Sequence, residues 1–133
     1  MYIFDTNMVS ALMKDNEKVK AKLDEATDAE EAVFMSGVSH YEIKRGLLAV
    51  NATRKMKMYE DLRKDLQMLF LDTEDVFDKA AEIHTGLKQR GELIQDADIF
   101  IAATALLRNL ILVSDDSHFQ RIRGLTTENW IND

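Results

Sequence analysis

At 133 residues, 46% of them hydrophobic and 31% charged, the chain has the size and balance of one globular domain, and no apolar run approaches the roughly 20 residues that cross a bilayer. It has no cysteine, which excludes disulfides, thiolate metal sites and a cysteine nucleophile, and His40, His84 and His118 lack zinc-site spacing, so a metal would have to be held by oxygen. The net charge of −7 opposes loose association with nucleic acid, and the opening Met1-Tyr2-Ile3-Phe4-Asp5 has neither the basic segment nor the apolar stretch of a secretory signal, which makes the cytoplasm the expected compartment.

Tyr2-Ile3-Phe4 reads as a short buried strand, followed by Asp5-Thr6-Asn7 as cap residues for a helix over about Met8–Met13. Within the charged stretch Asp15–Glu31, Val19, Leu23 and Ala26 recur at helical spacing and predict a solvent-facing helix. Val33–Ser36 reads as the second strand. Ser39 and Glu42 have the spacing of a capping box, which places a helix start there and its end near Val50. From Thr53 onward Met58, Leu62 and Leu66 recur at helical spacing, and Gln67–Leu71 reads as a third strand. Asp72-Thr73 caps a helix with Val76, Phe77, Ala80, Ile83 and Leu87 on one side, ending at Gly91. Asp96 opens the next, which carries Ile99, Ala102, Ala103, Leu106 and Leu107 and ends near Asn109.

Leu110–Val113 is apolar without alternation, the pattern of a central strand buried on both faces. The turn Ser114-Asp115-Asp116, a short helix near Ser117–Ile122 and a last strand or coil over Leu125–Trp130 complete an alternating order, with Trp130 as a core anchor. That order predicts a single domain over 1–133: an α/β fold, built as a three-layer α/β/α sandwich around a mainly parallel sheet.

In such sheets ligands bind beyond the carboxyl ends of the strands. Asp5 and the pair Asp115-Asp116 lie at strand ends, Glu42 one helical turn past the second strand, and Asp96 and Asp98 in the first turn of a helix. Carboxylates brought to one edge repel each other, and a hard divalent cation such as magnesium relieves that repulsion. A cation so held can stabilise a phosphoryl oxygen and lower the pKa of an attacking water, the chemistry of phosphodiester hydrolysis. Each residue also has a structural explanation: a strand-end cap for Asp5, the capping box for Glu42, helix-dipole complementarity for Asp96 and Asp98, a plain turn for Asp115-Asp116.

Four blocks resemble the PIN-domain ribonucleases, and more narrowly the VapC toxins of type II (VapBC) toxin–antitoxin systems: Tyr2–Asn7, Ser39–Gly46, Asp98–Ala105 and Leu112–Phe119, the last continuing through Arg121-Ile122, Gly124-Leu125 and Glu128–Trp130. They cover Met1 to Trp130 in the family's order. The resemblance implies an acidic tetrad of Asp5, Glu42, Asp98 and Asp116, with Asp5, Asp98 and Asp116 holding Mg2+ or Mn2+. It implies that Thr6 and Asn7 brace Asp5 and that the Ser114 hydroxyl bonds a ligating carboxylate or a metal-bound water, and it leaves open the roles of two neighbours, Asp96 as a cap and Asp115 on the outer side of its turn. It further implies an RNA substrate such as transfer RNA, a homodimer, and a VapB-like antitoxin that lays an apolar helix in a groove, within a larger toxin–antitoxin complex. Leu47, Leu48 and Val50 are candidates for that groove or for the core.

Arg45, Arg54, Lys55 and Arg121 are candidate phosphate contacts despite the acidic total, because local charge outweighs net charge at close range; a solvated helix face explains them equally well. His118, beside Phe119, reads as a packing or capping histidine, with RNA contact as the alternative. Two other functions compete: a catalytically silent PIN-like binding module, which would have lost a tetrad member, and a phosphoaspartate phosphatase, whose motif wants an aspartate where this chain has Asn7.

Overall fold

The computed structural model describes residues 1–132. In chain order it contains β1 (Tyr2–Phe4), α1 (Thr6–Met13), α2 (Glu17–Asp28), β2 (Val33–Ser36), α3 (Gly37–Ala49) and α4 (Thr53–Leu62). These are followed by β3 (Gln67–Leu69), α5 (Glu74–Gln89), α6 (Asp96–Arg108), β4 (Ile111–Val113) and β5 (Thr127–Glu128). A short 3-10 turn, Ser117–Arg121, separates β4 from β5.

The five strands form one all-parallel sheet in the order β3-β2-β1-β4-β5, with β1 in the middle. Successive strand side chains point to opposite faces, and both faces are covered. Phe4, Met35 and Val113 pack under α1, α2, α3 and α4, whereas Ile3 and Leu112 pack under α5 and α6. The result is the expected three-layer sandwich. Trp130 closes the first face, edge-on to Tyr2 and Phe4 at centroid distances of 5.1 and 5.2 Å, with its indole N–H donating to Glu128 Oε1 at 3.0 Å.

Several boundaries differ from the sequence expectation for local reasons. Helix α1 starts at Thr6 because Asp5 is its N-cap, accepting the Met8 N–H at 2.8 Å. The capping box at Ser39 and Glu42 is not formed. Ser36, at the end of β2, caps α3 three residues earlier by accepting from the Val38 N–H at 3.1 Å. Ser39 therefore lies inside the helix and is fully buried. On α4 the buried residue is Tyr59, and Met58 faces out. Strand β3 stops at Leu69, leaving Phe70 exposed, while Phe77 and Leu107 stand at the surface instead of in the core. Of the three groove candidates, Leu47 is core and Leu48 and Val50 are exposed. Helix α5 ends as expected: Gly91 takes φ +67, and the Gly91 and Glu92 N–H groups return to the carbonyls of Lys88 and Leu87 at 3.1 and 2.9 Å.

Tyr59 is the largest fully buried side chain, and its hydroxyl shares a 2.6 Å hydrogen bond with His40 Nδ1. Truncating Trp130 to alanine is expected to cost about 3–5 kcal/mol of unfolding free energy, and Tyr59→Phe about 1 kcal/mol, because the former opens a cavity and the latter removes the hydroxyl that bonds His40 and, weakly, Met35 Sδ. Urea unfolding followed by circular dichroism checks both.

Candidate functional site

β1 and β4 are neighbours, so the residues that follow them meet at one edge of the sheet. Asp5 follows β1, is only 2% exposed, and is held at both oxygens. Its Oδ1 accepts the Met8 N–H, and its Oδ2 accepts the Ser114 hydroxyl at 2.6 Å. Ser114 in turn accepts the Asp116 N–H at 2.9 Å, so one buried hydroxyl ties the end of β1 to the turn after β4. Asp116 caps the 3-10 turn, its Oδ1 accepting the His118 N–H at 2.8 Å and lying 3.2 Å from His118 Nδ1.

Glu42 arrives from α3 and is fixed from α1. The Thr6 hydroxyl donates to Glu42 Oε1 at 2.7 Å, which leaves its oxygen to accept from the Ser39 hydroxyl at 2.9 Å. Thr6 thus braces Glu42, not the neighbouring Asp5 as the resemblance implied. Ser39, whose spacing to Glu42 predicts a helix-start cap, is instead buried beside Thr6, a contact that local spacing does not signal. Asp98 comes from the first turn of α6 and is half-buried.

Asp5, Glu42, Asp98 and Asp116 line a single cavity of about 490 Å3, together with Thr6 and Asn7. A second stretch of the lining is Leu93, Ile94 and Gln95, and His118 and Arg121 complete it. No motif had singled out this wall, although its position just before the Asp98 helix marks it. Asn7 is exposed, and Asp96 lies outside the cavity as the first residue of α6, where its charge complements the helix N-terminus. Asp115 is exposed and is not among the residues that line this cavity. His118 is not a packing residue, since its side chain is 52% exposed.

Among the cationic candidates only Arg121 lines the cavity, and its Nη1 is committed to the carbonyls of Glu92 and Leu93 at 3.2 and 3.3 Å. The Arg45 guanidinium lies 5.1 Å over the Tyr41 ring, and Arg54 and Lys55 are exposed on α4, away from the cavity lining.

Burial pushes the Asp5 carboxyl up to about 6, with the charges of Asp115 and Asp98 adding to the rise and its hydrogen bonds from Ser114 and Met8 opposing it. Burial also raises Asp98, helped by the charges of Asp116 and Glu42. Among the described residues no lysine or arginine forms a salt bridge with any of the four carboxylates. Nor do three acidic or imidazole side chains stand as a ready-made metal cluster. The match to a divalent cation is one of donor chemistry and uncompensated negative charge: every candidate ligand is a carboxylate oxygen, the type hard cations select.

The model of the PIN domain matches residues 2–125 of this chain. The chain belongs to the PIN domain family. Its relatives include ribonuclease VapC1 of Haemophilus influenzae, 26% identical over 98% of both chains, and toxin FitB of Neisseria gonorrhoeae, 31% identical over 88% of both. Among solved structures it is similar to VapBC-1 from nontypeable Haemophilus influenzae, with a TM-score of 0.83, 26% identity and 97% of both chains covered. In this PIN domain Asp5, Glu42, Asp98 and Asp116 fall around one cavity.

A raised aspartate has a definite consequence for stability. The unfolded chain releases the Asp5 proton near its ordinary value of 3.8, whereas the folded chain holds it to about 6, so in chelator stability should fall as pH rises through that window. Asp5→Asn removes the charge and should make the metal-free protein about 2 kcal/mol more stable than the wild type at pH 7.5, with the advantage vanishing below pH 4. Denaturant unfolding of both proteins at the two pH values measures the difference.

Proposed function

We propose that this chain is a metal-dependent endoribonuclease acting as the toxin of a toxin–antitoxin pair. It hydrolyses RNA phosphodiester bonds, with a structured RNA such as transfer RNA as substrate. The observation that carries this reading is the convergence of Asp5, Glu42, Asp98 and Asp116, from four separate segments, on one cavity, with no lysine or arginine salt bridge to any of them among the described residues. The names of the relatives, ribonuclease VapC1 and toxin FitB, support the same class.

Asp5, Asp98 and Asp116 would hold Mg2+ or Mn2+, and Glu42 completes the set. When bound, the ion supplies charge neutralisation at a phosphoryl oxygen and a more acidic water. The protein's own contribution is positional. Ser114 holds Asp5 and the Asp116 backbone in one frame, and Thr6, backed by Ser39, fixes Glu42. With one oxygen engaged by Thr6, Glu42 keeps the other to take a proton from a water entering the cavity. His118, whose Nδ1 lies 3.2 Å from Asp116 Oδ1, lines the same cavity and can contact a phosphate there.

The remaining parts of the proposal follow the family resemblance. The 133 residues act as one PIN domain, dimerise, and are neutralised by a VapB-like antitoxin whose apolar helix covers exposed side chains such as Leu48 and Val50. The solved relative's designation VapBC-1 supports a two-component assembly. Cytoplasmic action is part of the proposal; among the described residues no helix is long and apolar enough to cross a membrane.

Purified protein freed of antitoxin is expected to cut total cellular RNA into discrete fragments with magnesium or manganese and to leave it intact in chelator. Asp98→Asn should abolish cleavage, and Ser114→Ala should lower it roughly 10–100-fold, the usual effect of removing a group that orients a metal ligand. Intact RNA with magnesium, from folded protein that binds the ion, would instead point to a binding module.

A further inference from the structure

The cavity has two chemically unlike walls. One is the carboxylate set. The other is the connection between α5 and α6, residues 92–95, which brings Leu93, Ile94 and Gln95 to the same space. A phosphate needs only the first wall. At about 490 Å3 the cavity is far larger than one phosphoryl group, within the range of about 300–1,000 Å3 typical of small-molecule sites.

The second wall is built and held in place. Gly91 turns the chain out of α5, and the Glu92 N–H is bonded to the Leu87 carbonyl. Arg121 Nη1 grips the Glu92 and Leu93 carbonyls, while Arg90 binds the Glu92 carboxylate at 3.1 Å and the Arg121 carbonyl at 2.7 Å. This fastening nevertheless leaves Leu93 44% exposed at the cavity, although water disfavours an apolar side chain there. Gln95 occupies the N-cap position of α6 but makes no side-chain cap hydrogen bond, so its amide, with donors and an acceptor, stays available at the cavity.

Resting on the nuclease reading above, we propose that Leu93 and Gln95 form the seat of the nucleobase next to the scissile phosphate, and so set the base preference of cleavage. A base lying on Leu93 covers exposed apolar surface. Its edge then meets the Gln95 amide, which can donate to a carbonyl or accept from an exocyclic amine. A base reaches such a seat only when unstacked from its neighbours, so the seated nucleotide is unpaired. Arg121 acts here as a positioning residue, since it holds the backbone of the wall.

The test is a binding measurement that does not need turnover. Protein with its Leu93 methyl groups labelled is titrated, in magnesium buffer, with each of the four nucleoside 5′-monophosphates and with ribose 5-phosphate, which carries the same phosphate and sugar without a base. The expected result is a ring-current shift of the Leu93 methyls with at least one nucleotide and none with ribose 5-phosphate. That nucleotide should bind roughly tenfold more tightly than ribose 5-phosphate. Leu93→Ser should erase the tenfold difference, Leu93→Met should keep it, and Gln95→Glu should change which base binds best. Because Leu93 and Gln95 are exposed, all three variants are expected to fold. Equal binding of nucleotides and ribose 5-phosphate, or a preference unchanged in Leu93→Ser, would overturn the proposal. RNA cleavage by the wild type is scored separately: base-selective binding without cleavage would count against the nuclease and leave the seat standing, whereas cleavage without base-selective binding would do the reverse.

Discussion

A carboxylate buried at the end of the central strand carries a desolvation cost, and the way Asp5 is held organises the rest of the site. The strand must be apolar to sit in the middle of the sheet, so its last residue emerges where water is scarce. The Met8 N–H uses Asp5 to start α1, and the Ser114 hydroxyl uses it to fasten β4 to β1. Both bonds favour the charged form, but burial outweighs them and holds the carboxyl at about 6. Near neutral pH the folded chain therefore keeps a charge it has not fully compensated. Glu42, Asp98 and Asp116 add to the deficit in the same cavity. That imbalance is what a cation would relieve, and it gives the site a reason to exist that stability alone does not.

Much of this architecture was legible in the sequence because it depends on local patterns. The apolar run Tyr2–Phe4 announced a short buried strand, Leu110–Val113 a central one in a parallel sheet, and Gly91 the end of α5. The acidic residues could be placed at one edge because strand ends and helix starts share that edge in a parallel α/β sheet. What the sequence could not reveal was tertiary. Ser39 and Glu42 have the spacing of a capping box, yet Ser36 took the cap and released both for contacts to Thr6. Tyr59 took the buried position on α4 because His40, nineteen residues earlier in the chain, offered its hydroxyl a partner. Leu93 and Gln95 belong to no periodic pattern, and only the folded structure shows them lining the same cavity as the carboxylates.

The net charge of −7 fits this picture better than it first suggests. Part of the negative charge is concentrated where a cation would neutralise it, and Arg121 stands at the cavity side while Arg45, Arg54 and Lys55 lie exposed elsewhere. Specificity for RNA would then come from contact at close range, a gripped loop with an apolar and an amide side chain, and not from long-range attraction.

The most direct test of the central claim, that the four carboxylates are a divalent cation site, is manganese binding followed by electron paramagnetic resonance on wild type and on an Asp5→Asn, Asp98→Asn double variant. The expected result is a bound-ion signal that saturates in the wild type, is displaced by excess magnesium, and is lost in a variant that remains folded. Binding retained in the folded double variant, or none in the wild type, would contradict it.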